Sequence, residues 1–248
     1  PRAVMSLVTV PLMSDRLMEE DLYQIMRGVV DVLAEHDAAL IGGHSAEGAE
    51  LSLGLSVHAD APDVVLSKGG AQAGDQLILS KPLGTGLALA SAMGGNAPAH
   101  LMSTVITSMN QSGAAAAETF ISHGANALTD ITGFGLIGHL SEMLRASEQH
   151  ATLQLACVPS FAGVKALYKT HQSSLQSANE LAFSDYQLKG KLSFSDPAIR
   201  LLADPQTSGG LLGAVPSRRA QACLTGLLDS GHTAAIIGTV GGGVNAIK

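Results

Sequence analysis

Asp130 precedes Gly133, Gly135 and Gly138 in the stretch LTDITGFGLIGHL, residues 128–140. Glycines at this G-x-G-x-x-G spacing let a backbone approach a pyrophosphate where a helix begins. A dinucleotide site needs an apolar strand just before them and an acid about 20 residues on, to hold the ribose. The next strand-like run, TLQLACV, ends in PSF with no acid at its tip, and Asp130 sets a bare carboxylate beside the pyrophosphate. Both features argue against a dinucleotide. A metal between Asp130 and the phosphates removes the second conflict, because Mg²⁺ takes one or two carboxylates plus phosphate oxygens. The glycines then serve to present free amides to an anion. The other reading is an Asp that caps the turn, with the glycines needed for geometry alone.

Three further stretches carry the same kind of chemistry. IGGHSAEGAEL, residues 41–51, reads as a strand running into a Gly-Gly turn. There Gly42 and Gly43 bring backbone amides to a ligand, and His44 and Ser45 donate to phosphate. The plain alternative is a tight hairpin with a polar rim. KPLGTG, residues 81–86, lacks the Gly-Lys-Ser/Thr ending of a P-loop and reads as a strand–turn–helix corner. DPQTSGG, residues 204–210, is a loop by its turn chemistry, with a nest of amides as its functional reading. No two histidines stand at a zinc-ligand spacing.

The elements that position these stretches follow from hydrophobic period. Residues 4–12 read as a buried strand, and 16–36 as a helix with Leu22, Ile25, Met26, Val29, Val30 and Leu33 on one face. A strand through AALIGGHS and another over 51–59 complete a β-α-β-β unit that ends in a linker, DAPDVV (60–65). Then come a strand at 75–81, an Ala-rich helix, a longer helix over 101–123 and the strand NALTD. The helix GLIGHLSEMLRA carries Leu136, Ile137, Leu140, Met143 and Leu144 on one face. TLQLACV reads as a strand, 160–200 as irregular with short helices, GGLLGAV as a strand, 217–229 as a helix, AAIIGTV as a strand and GGGVNAIK as a tail. The alternation gives an α+β, or mixed α/β, class.

Composition narrows the function. Hydrophobic residues make up 46% of the 248 and charged residues 14%, which predicts a soluble, well-packed protein. With no Trp and 3% aromatics, the core falls to aliphatic side chains. A net charge of −7 and the lack of any Lys/Arg run argue against a nucleic-acid surface. No apolar run approaches the ~20 residues of a membrane span. Cys157 and Cys223 read as two buried thiols in a reducing compartment, so the expected location is cytoplasmic. The chain opens PRAVMSLVTVPL, almost directly into an apolar run, as a piece cut from a longer protein would.

In this order, GGHSAEGAELSLGLSV, SKPLGTG, LTDITGFGLIGHL and DPQTSGGLL resemble selenophosphate synthetase (selenide, water dikinase). That family belongs to the ATP-binding superfamily of aminoimidazole ribonucleotide synthetase. The resemblance runs from Pro1 to about Val240, and its T-D-I-T-G-F-G-L-x-G-H-L and D-P-Q-T-S-G-G blocks are particular to this member. It implies a partial N-terminal synthetase-type domain for ATP binding and dimerisation over residues 1–62, a C-terminal α+β domain over 63–248, and a site between them. It also implies ATP and Mg²⁺ as cofactors, ATP and selenide as small-molecule substrates, and a homodimer with no membrane span and no nucleic acid. Asp130 becomes the Mg²⁺ ligand, while Gly42, Gly43, His44 and Ser45 touch ATP across the dimer partner. The family's reactive Cys or selenocysteine and its Lys belong to a Gly-rich loop absent from this chain. No catalytic residue is therefore assigned, and the chain alone is expected to be inactive. SAEGAEL resembles the members fused behind a flavin-dependent oxidoreductase-like domain. The competing readings are another superfamily member, such as a thiamine-phosphate kinase or hydrogenase-maturation protein, and a non-catalytic module that oligomerises or binds nucleotide weakly.

Overall fold

The computed structural model describes residues 1–60 and 65–248. The chain divides into two units, Pro1–Val65 and Leu66–Lys248. The expected boundary at 62/63 and most of the expected linker lie outside the described residues.

The first unit is a three-stranded sheet with one helix. Strand β1 (Ala3–Pro11) lies at its centre, parallel to β2 (Ala39–Gly48) and antiparallel to β3 (Ser52–His58). The helix α1 (Asp15–Glu35) packs Val29 and Leu33 with Val4 of β1. The alternation in β1 is the period of a strand with one covered face: Val4, Ser6, Val8 and Val10 are buried, while Met5 and Leu7 are exposed. Leu53, Leu55 and Val57 of β3 are exposed as well.

The Gly-Gly pair is not a turn. Strand β2 runs straight through Gly42, Gly43, His44 and Ser45, opposite Met5 to Val8 of β1. A register shift between Val4 and Met5 leaves Ile41 as an extra residue just before the pair. Gly43 is needed for a different reason than a turn: a Cβ there would run into the Ser6 carbonyl of the neighbouring strand.

The second unit is built on a seven-stranded sheet. Its strands are β4 (Gln76–Leu79), β5 (Ala127–Asp130), β6 (Ala151–Leu153), β7 (Tyr186–Leu188), β8 (Leu211–Val215), β9 (Ala235–Val240) and β10 (Asn245–Ile247). They lie in the order β5-β8-β4-β9-β6-β10-β7, antiparallel from β5 to β6 and parallel from there to β7. Helices α2 (Thr85–Met93), α3 (Ala99–Asn110) and α5 (Gly135–Ala146) supply one core with Leu77 and Leu79. Helices α4 (Ala114–Ser122) and α8 (Ser217–Asp229) supply another around Ile78. Successive residues of β4 thus feed opposite faces of a sheet covered on both sides. Residues 160–200, read as irregular with short helices, hold short helical pieces, among them α6 (Gln176–Asn179) and α7 (Pro197–Arg200), and also the strand β7, which that reading did not include.

Four sequence expectations change here. The helix expected over 101–123 is broken at residues 111–113 into α3 and α4. The break falls on Gln111-Ser112-Gly113, and other loops take the freed carbonyls: the Lys81 ammonium donates to those of Ser108 (2.8 Å) and Gln111 (2.7 Å), and the Ser208 hydroxyl to that of Met109 (2.6 Å). The expected tail contains β10, which is held between β6 and β7. TLQLACV is a strand only to Leu153 and then a 3₁₀ turn. Cys223 is buried as expected, but Cys157 on that turn is exposed.

Candidate functional site

Three of the four Gly-rich stretches meet at one end of the second sheet. The loop 204–210 precedes β8, whose neighbours β4 and β5 lead into Ser80–Gly84 and into Ile131–Phe134. Main-chain bonds tie them together: the Ile131 amide donates to the Gly210 carbonyl, and the Gln206 amide to the Thr132 carbonyl, each at 2.8 Å. The Ser80 hydroxyl accepts the Leu211 amide at 2.8 Å. The fourth stretch, with Gly42, Gly43, His44 and Ser45, lies on β2 of the other unit, where His44 and Ser45 are exposed.

The amides of the PLGTG corner are already taken. Gln206 is buried, and its side-chain carbonyl accepts from the Gly84 amide (3.0 Å) and from the Thr85 amide and hydroxyl (both 3.2 Å). Its amide group donates to Asp204, which is completely buried and also receives the Ser173 hydroxyl at 2.7 Å. Burial raises the Asp204 pKa to about 6, against the pull of these donors and of the Gly86 and Leu87 amides. The start of α2 is therefore capped from within by the DPQTSGG loop. Lys81 completes the seal with a third bond, to the Ser208 carbonyl at 3.2 Å, and burial lowers its pKa.

Asp130 remains open. It ends β5 with its side chain exposed, and its Oδ2 accepts the Thr132 hydroxyl at 2.9 Å. Thr132 is itself held by His139, whose Nε2 accepts the Thr132 amide proton at 3.1 Å. An acceptor Nε2 makes the ring neutral, with its proton on Nδ1. Burial lowers the His139 pKa, with Asp130 and Glu142 pulling the other way. Phe134 lies 5.5 Å from the His139 ring, over Gly138, where a Cβ would come within 2.7 Å of the Phe134 Cβ. Gly135 has φ +66°, and a Cβ there would lie 2.9 Å from the Leu202 carbonyl oxygen. Of the three glycines in the motif, two answer to packing around the start of α5. Gly133 has open space, and its carbonyl accepts from Asn179 at 2.8 Å.

Among the described residues no group of three or more His, Cys, Asp or Glu side chains could hold a metal ion. One exposed hard carboxylate at a strand end fits the partial share that Mg²⁺ takes from a protein when phosphates and water complete its shell. The sequence reading singled out Asp130 but missed Thr132, His139, Lys81, Asp204 and Gln206. Their signal is weak: His139 sits inside the apolar stripe of α5, and Asp204 and Gln206 look like ordinary loop polarity.

Residues 72–247 match the model for the AIR synthase related protein, C-terminal domain. The chain is 36% identical to a selenide, water dikinase from Myxococcus xanthus (strain DK1622) over 246 residues, 98% of this chain and 69% of the relative. The chain belongs to the selenide, water dikinase family. The fold is wider than the family. A thiamine-monophosphate kinase from Stenotrophomonas maltophilia K279a superposes with a TM-score of 0.73 at 17% identity, over 100% of this chain and 72% of that one. The hydrogenase maturation protein HypE in complex with ATP superposes with a TM-score of 0.66 at 18% identity, over 97% and 65%. The mixed α+β class expected from the sequence is the one observed. Among the described residues, no helix is long and apolar enough to cross a membrane.

Proposed function

We propose that this chain is part of a selenophosphate synthetase, which converts ATP, selenide and water to selenophosphate, AMP and phosphate. Membership of the family supports the reaction, and the ATP complex of the fold neighbour supports the nucleotide. Asp130 carries the assignment: an exposed carboxylate fixed by the Thr132 hydroxyl, at the mouth of loops in which Gln206 takes the amides at the start of α2 and Asp204 is buried and bonded. In this reading Asp130 holds Mg²⁺ bound to the ATP phosphates. When bound, that ion neutralises phosphate charge during anhydride cleavage. Gly42, Gly43, His44 and Ser45 contact ATP from the dimer partner, with Gly43 leaving the strand free of a side chain. The dimer is favoured by the exposed Met5, Leu7, Leu53, Leu55 and Val57 on the small sheet. The reactive Cys or selenocysteine and its Lys come from a loop outside this chain, so the chain alone does not turn over. A cytoplasmic location and, on the resemblance of SAEGAEL, fusion to a flavin-dependent oxidoreductase-like domain complete the reading.

The test is calorimetric titration with Mg·ATP of the wild type and Asp130→Ala. The expected result is binding that weakens at least tenfold in the variant. Identical titrations would remove Asp130 from the site.

A further inference from the structure

We propose that His139 is the positioning residue that aims the Asp130 carboxylate at its cation, acting through Thr132; this rests on the Asp130 assignment above. The starting observation is a histidine where the packing asks for a leucine. His139 is 6% exposed, beside Leu136, Leu140 and Met143 in the buried stripe of α5. Its Nδ1 is buried and has no hydrogen-bond partner. The carboxylate it faces, Glu142, stands 3.9 Å away and is itself bonded to Lys68 at 3.0 Å. An unmade bond at a buried donor costs stability. An aliphatic side chain would avoid that cost, so the ring's polarity serves its other nitrogen.

That nitrogen holds Thr132, and Thr132 holds Asp130. Nε2 accepts the Thr132 amide at 3.1 Å, and the Thr132 carbonyl accepts the amides of Gln206 (2.8 Å) and Gly135 (3.0 Å). With both backbone groups engaged, the two peptide planes that flank Thr132 are held, and its hydroxyl stands beside Asp130. Its single proton goes to Asp130 Oδ2 at 2.9 Å; Nε2 lies 3.2 Å from the same hydroxyl but has its lone pair committed to the amide. Among the described residues Asp130 Oδ1 meets only the Thr129 hydroxyl, at 3.5 Å, which leaves lone pairs for a cation. The arrangement is the support that groups behind a ligand give to a metal site, whose loss typically weakens metal affinity by about 10–100-fold.

The experiment compares binding of ATP in chelator with binding of Mg·ATP to the full chain, so that their ratio reads the metal's share. Wild type is expected to prefer Mg·ATP, and Asp130→Ala to lose that preference. His139→Leu and Thr132→Val should reduce the preference by about 10–100-fold with metal-free ATP binding unchanged. His139→Gln, whose side-chain oxygen can still accept the amide proton, should restore most of it. If Asp130→Ala loses the preference while folded His139→Leu and Thr132→Val keep it, the inference about His139 falls and the Asp130 assignment stands. If wild type shows no preference, or Asp130→Ala retains it, both fall. A ¹⁵N spectrum of the imidazole gives a readout free of metal: a protonated Nδ1 and an acceptor Nε2 are expected, and the opposite tautomer overturns the proposal. That spectrum and Thr132→Val carry the test should His139→Leu not fold.

Discussion

The side-chain carbonyl of Gln206 accepts from Thr85 twice, from its amide and from its hydroxyl, each at 3.2 Å and across 121 positions of sequence. The same oxygen takes the Gly84 amide at 3.0 Å, and the Thr85 hydroxyl in turn accepts the Thr207 amide at 2.8 Å. A helix start that looks ready for a phosphate is thereby filled by the protein's own loop. The free end of the site is left to β5 and α5.

Replacing Gln206 by leucine strands the Gly84 and Thr85 donors in a buried place. Each buried donor left unpaired costs about 1–3 kcal/mol, so Gln206→Leu is expected to lose about 2–5 kcal/mol of stability. A fall in the urea midpoint measures it; an unchanged midpoint shows that water reaches these amides.

Asp204 predicts an unusual pH slope. Its pKa is about 6 in the fold against 3.8 as the ordinary value, so the native state binds its proton more tightly than the unfolded state does. Stability from this group is therefore greatest below about pH 4 and declines as pH rises through about 6, by on the order of 3 kcal/mol. His139 and His232 act in the opposite sense. Burial lowers their pKa below 6.5, so their contribution to stability is lost as pH falls below that value. The difference between wild type and Asp204→Asn isolates the carboxylate. The wild type should lose stability relative to the variant between pH 4 and 6.5; a difference that stays flat across this window overturns the prediction.

The three glycines of LTDITGFGLIGHL are not equivalent. Gly133→Ala meets open space and is expected to change stability by no more than about 0.5 kcal/mol. Gly135→Ala combines φ +66° with a Cβ only 2.8 Å from the Ala203 carbonyl carbon, and should cost about 2–4 kcal/mol. Gly138→Ala pushes Phe134 off the His139 ring and should fall between them. Melting temperatures in that order, Gly133→Ala highest, check the reading. Equal losses at all three overturn it.

Local pattern carried most of the fold. The apolar stripe of α5 is buried residue for residue at Leu136, Ile137, Leu140, Met143 and Leu144, and α8 spans the 217–229 read from its period. Asp130 stood out because a carboxylate at the head of a glycine-rich turn conflicts with a phosphate unless a cation intervenes. Where the reading failed, a local signal or a distant group decided. The helix read over 101–123 breaks at Ser112-Gly113, a local turn signal passed over in favour of the Ala run, and Lys81 and Ser208 hold the freed end from other loops. Three residues of β10 are too few to show a period, and they become a strand by pairing with β6 and β7.

The sequence by itself determined most of the order of strands and helices, the motifs of the family and the identity of the exposed acid, because these are written in residue type and spacing. The tertiary structure decided what each glycine-rich stretch does. Gly42 and Gly43 look like a turn yet continue a strand, since β1 brings the Ser6 carbonyl against Gly43. The PLGTG corner looks open yet is closed by Gln206. His139 looks like one polar interruption in an apolar helix yet holds the residue that holds Asp130. Turns, caps and supports depend on which donor meets which acceptor across the chain, and only folding makes those pairs.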